Sequence, residues 1–120
     1  MDLLIESDGN DIYLVRCPQE MEWQVRMDLV DTVTRATDGR IFRGLILDLV
    51  NVTFINSAGL GAIFTLRKYA EQAGAEMIVA RPRVNIQRML ATAGLPKLMF
   101  VASSLSEART KLKSSTARVV

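Results

Sequence analysis

The sequence predicts an α/β domain in which a mixed, mostly parallel sheet of about five strands is packed by four helices. After two strand-like runs near the N-terminus, short apolar runs alternate along the chain with segments of helical period. The apolar run at residues 45–49 has the composition of a strand buried on both faces, which is typical of a parallel sheet. The predicted order is β-β-α-β-α-β-α-β-α. We expect one domain over residues 1–120, because this length suffices for a single hydrophobic core.

The first two strands are expected to form a hairpin. The segment Ser7-Asp8-Gly9-Asn10-Asp11 lies between them, and its Asp-Gly-Asn sequence is typical of a tight turn. The later strands are expected to be mostly parallel, because a helical segment separates each from the next. The predicted strands are residues 3–7, 11–16, 45–49, 77–80 and 98–101.

The four helices are indicated by apolar residues at intervals of three or four positions. The first shows this period at positions 21, 25, 29, 33 and 36, and Pro18 suits its first turn because a proline needs no N–H partner there. Glu20 and Glu22 are then expected in that first turn, near the positive end of the helix dipole. The helices are expected from Pro18 to Gly39, after Ser57 to Gly74, from Val84 to Ala93, and from a cap at Ser103 or Ser104 to about Leu112. The core is expected at about residues 3–112, and residues 113–120 are expected to form a flexible tail.

The composition excludes several classes of protein. Hydrophobic residues make up 49% and charged residues 23% of the chain, as in ordinary globular proteins. The single cysteine, Cys17, allows no intrachain disulfide, and no apolar run approaches the roughly 18 residues that a membrane span needs. The first residues lack the basic region of a signal peptide. We therefore expect a cytoplasmic protein that does not act in a membrane.

Several residues and motifs that commonly carry enzyme chemistry are missing. The chain has no histidine, and one cysteine cannot form a thiolate zinc site. Neither of the common glycine-rich nucleotide loops occurs. Asp48, inside the predicted central strand, is expected to satisfy nearby amides, and Cys17 to be a small packing residue. We expect no catalytic residue, no metal site and no cofactor.

The charge is distributed unevenly along the chain. Residues 1–66 carry a net charge of −5 and residues 67–120 a net charge of +7, which together give the net +2 of the whole. A basic half can bind nucleic acid or an acidic protein surface. Because the basic residues are interleaved with apolar ones, we interpret them mainly as solvated helix faces.

Ser57 is the strongest candidate for a functional residue. It follows the central strand and lies where the N-cap of the second helix is expected, so that its hydroxyl could accept a hydrogen bond from the amide of Gly59 or Leu60. The free amides and the helix dipole at such a position also favour a phosphate group. The local chemistry leaves two interpretations equally open: a simple helix cap and a phosphorylation site.

Residues 47–61 resemble the signature of the STAS superfamily and, within it, of the bacterial anti-sigma factor antagonists. That signature is an apolar strand, a short link with an aromatic residue, and Asp-Ser-Ser/Thr-Gly-Leu-Gly, which is here Asn56-Ser57-Ala58-Gly59-Leu60-Gly61. The likeness extends over about residues 3–112, with further matches at residues 74–79, 84–90 and 93–95 and, for the Gly-Glu-Leu-Asp of the family, at residues 19–22. Asn56 departs from the family's acid, Gln19 from its glycine, and Glu22 from its aspartate.

The resemblance implies a partner switch with no enzymatic activity of its own. In this family, the unphosphorylated antagonist binds a serine protein kinase of the GHKL type, which also acts as the anti-sigma factor, and the client is released. Phosphorylation, here at Ser57, ends the binding, and a PP2C-type phosphatase restores it. The residues expected to contact the partner are Glu20, Glu22, Trp23, Asn56, Ser57, Ala58, Gly59 and Leu60.

Several alternatives remain open from the sequence. The chain could be a STAS module that senses a nucleotide or another small ligand, with Ser57 only a helix cap. Trp23 could pack against its helix instead of contacting a partner, and the small residues at 58, 59 and 61 could serve close helix packing or the approach of a kinase. Nucleic-acid binding by the basic half is the least favoured function, because aromatic residues are few and no matching motif occurs. We expect a monomer or a weak dimer.

Overall fold

A computed structural model describes residues 4–9 and 11–117. A five-stranded sheet has the order β1-β2-β4-β6-β7, in which β1 is antiparallel to β2 and the other neighbours are parallel. Its strands are β1 (Leu4–Ser7), β2 (Ile12–Arg16), β4 (Gly44–Asp48), β6 (Glu76–Ala80) and β7 (Val101–Ala102), and a second sheet pairs β3 (Glu20–Met21) with β5 (Phe54–Ile55). The helices are α1 (Trp23–Thr37), α2 (Ser57–Gln72), α3 (Val84–Thr92) and α4 (Leu105–Ala117). The predicted α/β class, with a mixed sheet of five strands and four helices, is confirmed.

Both faces of the large sheet are covered, which explains the apolar composition of its strands. Helices α1, α2 and α3 connect parallel strands in chain order and lie on one face, where Leu29 and Ile63 join a core with Leu47 of β4. Helix α4 lies on the opposite face, where Leu112 joins Ile46. Every residue of β4 is buried, as the unbroken apolar run predicted.

The prediction that the first helix begins at Pro18 is wrong. Residues 20–21 form β3, which is parallel to β5 in the register Glu20 to Phe54 and Met21 to Ile55, and α1 begins only at Trp23. Glu20 therefore lies in a strand, and Glu22 is the N-cap residue of α1 and makes no side-chain capping bond. Pairing with a distant segment has overridden the local signal of the proline.

The C-terminal elements also differ from the prediction. A short 3-10 helix (Leu95–Lys97) follows Gly94, whose φ of 80° suits glycine, and β7 is therefore shorter and later than residues 98–101. Helix α4 continues past Leu112 to Ala117, so residues 113–117 are helical instead of a flexible tail. The rest of the predicted tail, residues 118–120, lies outside the described residues, as do Leu3 and Asn10 of the predicted hairpin.

Within residues 4–9 and 11–117, no helix combines the length and the apolar composition needed to cross a membrane.

Candidate functional site

The candidate site is the N-terminal end of α2, and Asn56, not Ser57, caps this helix. The N–H groups of Ala58 and Gly59 donate to the side-chain oxygen Oδ1 of Asn56, each over 3.1 Å. The backbone of Asn56 is extended (φ −115°, ψ −172°), as expected of an N-cap residue. Ser57 is therefore the first helical residue, and the prediction that its hydroxyl caps the helix is wrong.

The hydroxyl of Ser57 is available to a partner. The residue is exposed, and its side chain makes no hydrogen bond with any other residue in the described parts of the chain. The first turn of α2 also contains no acidic residue. Ser57 does not cap the helix, and it faces solvent at the positive end of the helix dipole. It can therefore accept a phosphate without the loss of a structural contact.

The small sheet of β3 and β5 places this helix end beside the start of α1. The N–H of Asn56 donates to the carbonyl of Met21 over 3.2 Å, and the N–H of Thr53 donates to the carbonyl of Gln19 over 2.8 Å. Two segments that are more than thirty residues apart in the chain thus form one surface. This surface contains both groups of residues that we expect to contact a partner, the group at 20–23 and the group at 56–60.

The predicted partner residues differ in how much they can contact another protein. Glu20, Trp23 and Ser57 are exposed, and Glu22, Asn56, Ala58 and Leu60 are half-buried. Trp23 is 65% exposed, so it does not contribute to the core. Gly59 is buried against Met21, which favours the packing interpretation of this glycine over direct contact with a partner.

Further apolar residues near this surface were missed from the sequence. Phe54 on β5 is 48% exposed and Met27 on α1 is 59% exposed. A mainly apolar groove of about 340 Å³ lies between α2 and α3 and is lined by Leu60, Arg88, Met89, Thr92 and Ala93. Met89 is 38% exposed, whereas Ile86 and Leu90 of the same helix are buried. Exposed apolar side chains and an apolar groove are features that a protein-binding site can use.

Asp48 anchors a cluster of charges at the carboxyl end of β4. Its side chain is fully buried and accepts hydrogen bonds from Nε of Arg16 and Nε of Arg81, each over 3.1 Å, and from the N–H of Val50 over 3.2 Å. Burial alone would raise the pKa of this carboxyl, but the hydrogen bonds from Arg81, Arg16 and Val50 outweigh it and hold the pKa below its usual value. The expectation that Asp48 satisfies nearby amides is correct, but the sequence did not reveal the two arginines.

The remaining candidates for nucleophilic or metal chemistry are Cys17 and the acidic residues. Cys17 is buried, and this burial, with a smaller contribution from the charge of Asp48, raises the pKa of its thiol. A neutral buried thiol is a poor nucleophile and metal ligand. No group of three or more cysteine, aspartate and glutamate residues in the described segments is arranged to hold a metal ion.

We expect the Asp48→Asn variant to lose about 2 kcal/mol of unfolding free energy at neutral pH, because two arginines lose their buried partner. The pKa of Asp48 is lower in the folded than in the unfolded chain, whose value is about 3.9. The contribution of Asp48 to the unfolding free energy is therefore complete above the unfolded pKa and is lost as the pH falls through the folded pKa. Urea unfolding should give a difference between wild type and variant that narrows below about pH 4. The control is Asp31→Asn, which removes an exposed ion pair with Arg35 and should cost less than about 0.5 kcal/mol; a difference that stays constant with pH would contradict the assignment.

We expect the Asn56→Ala variant to lose about 1 kcal/mol, because the amides of Ala58 and Gly59 lose their acceptor. The Asn56→Asp variant should keep this stability, since a carboxylate accepts the same bonds and suits the helix dipole. The control is Asn51→Ala, at an exposed turn position of the same connection. Equal stability of the two alanine variants in thermal unfolding would contradict the capping role.

A model of the STAS domain family matches residues 6–108. The chain is 30% identical over 118 residues to the anti-sigma F factor antagonist of Paenibacillus polymyxa, in an alignment that covers 94% of this chain and 97% of that protein. As an antagonist, that relative acts against an anti-sigma factor.

Solved structures show the same fold at lower sequence identity. A variant of RsbS from Moorella thermoacetica, with a serine replaced by glutamate, matches with a TM-score of 0.83 and 17% identity over 98% of this chain and 99% of that one. The anti-sigma factor antagonist SpoIIAA in its unphosphorylated form matches with a TM-score of 0.80 and 15% identity over 93% and 96% of the two chains.

Proposed function

The chain belongs to the STAS domain family, and on this premise we propose that it is an anti-sigma factor antagonist in a cytoplasmic partner-switching pathway. Its unphosphorylated form binds a serine protein kinase of the GHKL type that also serves as the anti-sigma factor, and this binding releases the client. Phosphorylation of Ser57 ends the binding, and a PP2C-type phosphatase restores it.

The observation that carries the proposal is the exposure of the Ser57 hydroxyl. Its hydroxyl is exposed and makes no hydrogen bond with another described residue, because Asn56 does the capping. Exposed apolar side chains lie in the neighbouring elements, with Trp23 at the start of α1 and Phe54 in β5. A modifiable hydroxyl within an apolar binding surface has the properties that a phosphorylation switch requires.

Such a switch can change the affinity for the partner without a change of fold. A phosphoserine adds a charge of about −1.5 to −2 at neutral pH. At the first position of a helix, this charge is compatible with the folded chain. In the middle of a docked surface, the same charge must be stripped of water, which costs several kcal/mol. Because about 1.4 kcal/mol is tenfold in affinity, one modification can change binding by several powers of ten.

The proposal is tested by intact-mass analysis of the chain purified from its own cells, with peptide mapping around residue 57. We expect a fraction with one added phosphate, located on Ser57. In parallel, each GHKL-type serine kinase of the same organism is incubated with the chain and ATP, and the Ser57→Ala variant serves as the control. Absence of phosphate under all growth conditions, together with failure of every kinase, would refute the proposal.

The alternative, a module that senses a nucleotide, receives less support from the cavities. A polar cavity of about 240 Å³ is lined by Pro18, Gln19, Asn51, Thr53 and Arg83, and another of about 280 Å³ lies beside Arg81 and Ser103. Pockets for small ligands usually have volumes above about 300 Å³ and bury most of the ligand. The groove of about 340 Å³ between α2 and α3 reaches this volume, but its mainly apolar lining does not suit the phosphates of a nucleotide. A thermal shift with nucleotides, combined with no effect of Ser57→Asp on partner binding, would favour the alternative.

A further inference from the structure

Arg26 on α1 has an unusual position against α2. Its guanidinium lies over Gly61, so that a Cβ atom on Gly61 would be 3.1 Å from Nη1 and 3.4 Å from Cζ of Arg26. The missing side chain of this glycine is what allows the guanidinium to rest on the helix. Gly61 follows Ser57 by four residues, which is one turn of α2 on the same side of the helix.

The guanidinium of Arg26 has no carboxylate partner in the described parts of the chain. The ion pairs found there hold Arg16, Arg35, Arg67, Arg81 and Arg109. Glu22 precedes Arg26 by one turn of α1. Its backbone carbonyl accepts the backbone N–H of Arg26, and its carboxylate makes no ion pair with the guanidinium. Arg26 is thus an exposed, unpaired cation that lies against the N-terminal part of another helix.

The first turn of helix α2 supplies no negative charge to offset this cation. The N-terminal end of a helix carries a partial positive charge, and the first turn of α2 has no acidic residue to offset it. Arg26 adds a full positive charge to the same region. The surroundings therefore favour a strong anion, and the position that lies one turn before Gly61 is Ser57.

An arginine at this position can reach that anion. Positions one turn apart on a helix have Cβ atoms about 6 Å apart, which an arginine side chain spans by a change of rotamer. Helices α1 and α2 run in the same direction, because each connects two parallel strands of the sheet. Side chains lean towards the N-terminus of their helix, so Arg26 leans towards the end of α2 that carries Ser57.

We propose that Arg26 is the intramolecular partner of the phosphate on Ser57. The guanidinium turns from Gly61 and donates charge-assisted hydrogen bonds to the phosphate oxygens. The inference rests on the proposed function, since it concerns the phosphorylated state. It adds a second effect to the switch: phosphorylation introduces a negative charge and also removes an exposed cation from the binding surface.

The test uses the full chain with phosphoserine placed at position 57 by genetic encoding, so that no kinase is needed. The second pKa of the phosphate is measured by phosphorus NMR in wild type, Arg26→Gln and Arg26→Lys. We expect the value in wild type to be at least about 0.5 unit lower than in Arg26→Gln, because a nearby cation favours the dianion, with Arg26→Lys in between. The carboxylates of Glu20 and Glu22 lie in the same surface and affect all variants alike. The difference should shrink in about 1 M salt.

Arg35→Gln is the matched control, because it removes the same charge from an exposed position on the last turn of α1. Its phosphate pKa should equal that of wild type. Equal pKa values in wild type and Arg26→Gln would overturn the inference, as would an equal change in both glutamine variants. The two proposals can fail separately. If the phosphate pKa shows the expected dependence on Arg26 but the chain is never phosphorylated in its own cells, the proposed function is overturned and the pairing with Arg26 stands.

Discussion

The Ser57→Asp variant is expected to bind the partner kinase at least about a hundredfold more weakly than wild type, and the phosphoserine form at least about a thousandfold more weakly. These factors correspond to about 2.7 and 4.1 kcal/mol, within the range for a charge that is forced into a desolvated surface. The Ser57→Ala variant should bind as tightly as wild type and should not be released by ATP. Isothermal titration calorimetry with the purified kinase measures all three affinities.

Ser106→Asp is the matched control for this experiment. Ser106 is an exposed serine in the first turn of a helix, like Ser57, but its helix α4 lies on the opposite face of the sheet. This variant adds the same charge in the same local structure and should bind as wild type does. All variants should unfold at similar temperatures, because an aspartate in the first turn suits the helix dipole. Equal affinities of Ser57→Asp and Ser57→Ala would contradict the switch.

The elements that the sequence predicted well are those with long, regular patterns. The run at residues 45–49 indicated a strand buried on both faces, and apolar residues at helical spacing indicated α1 and α2, which have fifteen and sixteen residues. Such patterns depend on each element's own contacts with the core, so they can be recognised without knowledge of the tertiary structure. The interpretation of residues 1–120 as one domain rests on chain length and remains a prediction.

The parts of the site that could not be predicted depend on contacts between distant segments. Strands β3 and β5 have two residues each, which is too short for an alternating pattern, and their pairing joins residue 20 to residue 54. The choice of cap was ambiguous, because Asn56 and Ser57 are adjacent and both residue types cap helices well. The bond from the N–H of Asn56 to Met21 fixes the chain there, and Asn56 becomes the cap. The pairing of Asp48 with Arg16 and Arg81 likewise joins the ends of three separate strands.

Gly59→Ala is expected to have the largest effect on stability, with a loss of about 3 kcal/mol. A Cβ atom at this position would collide with the carbonyl oxygen of Met21 and lie 2.8 Å from the side chain of Ile55. Neither neighbour can move freely, because Met21 and Ile55 are paired within the small sheet and both are buried. Overpacking of this kind costs about 1–3 kcal/mol or more, which outweighs the gain of about 1 kcal/mol from placing alanine in a helix.

Gly61→Ala provides the matched control, because it makes the same substitution two residues later in the same helix. Its Cβ atom would meet only the guanidinium of Arg26, the end of a flexible and exposed side chain. This variant should therefore be as stable as wild type or up to about 1 kcal/mol more stable. Urea unfolding measures the difference, and hydrogen exchange at the amides of Thr53 and Asn56 reports whether the small sheet has opened in Gly59→Ala. Equal stability of the two variants would mean that the helix does not rest on the carbonyl of Met21. Ser57 would then be held in place by the capping bonds of Asn56 instead of by the packing of Gly59 on β3.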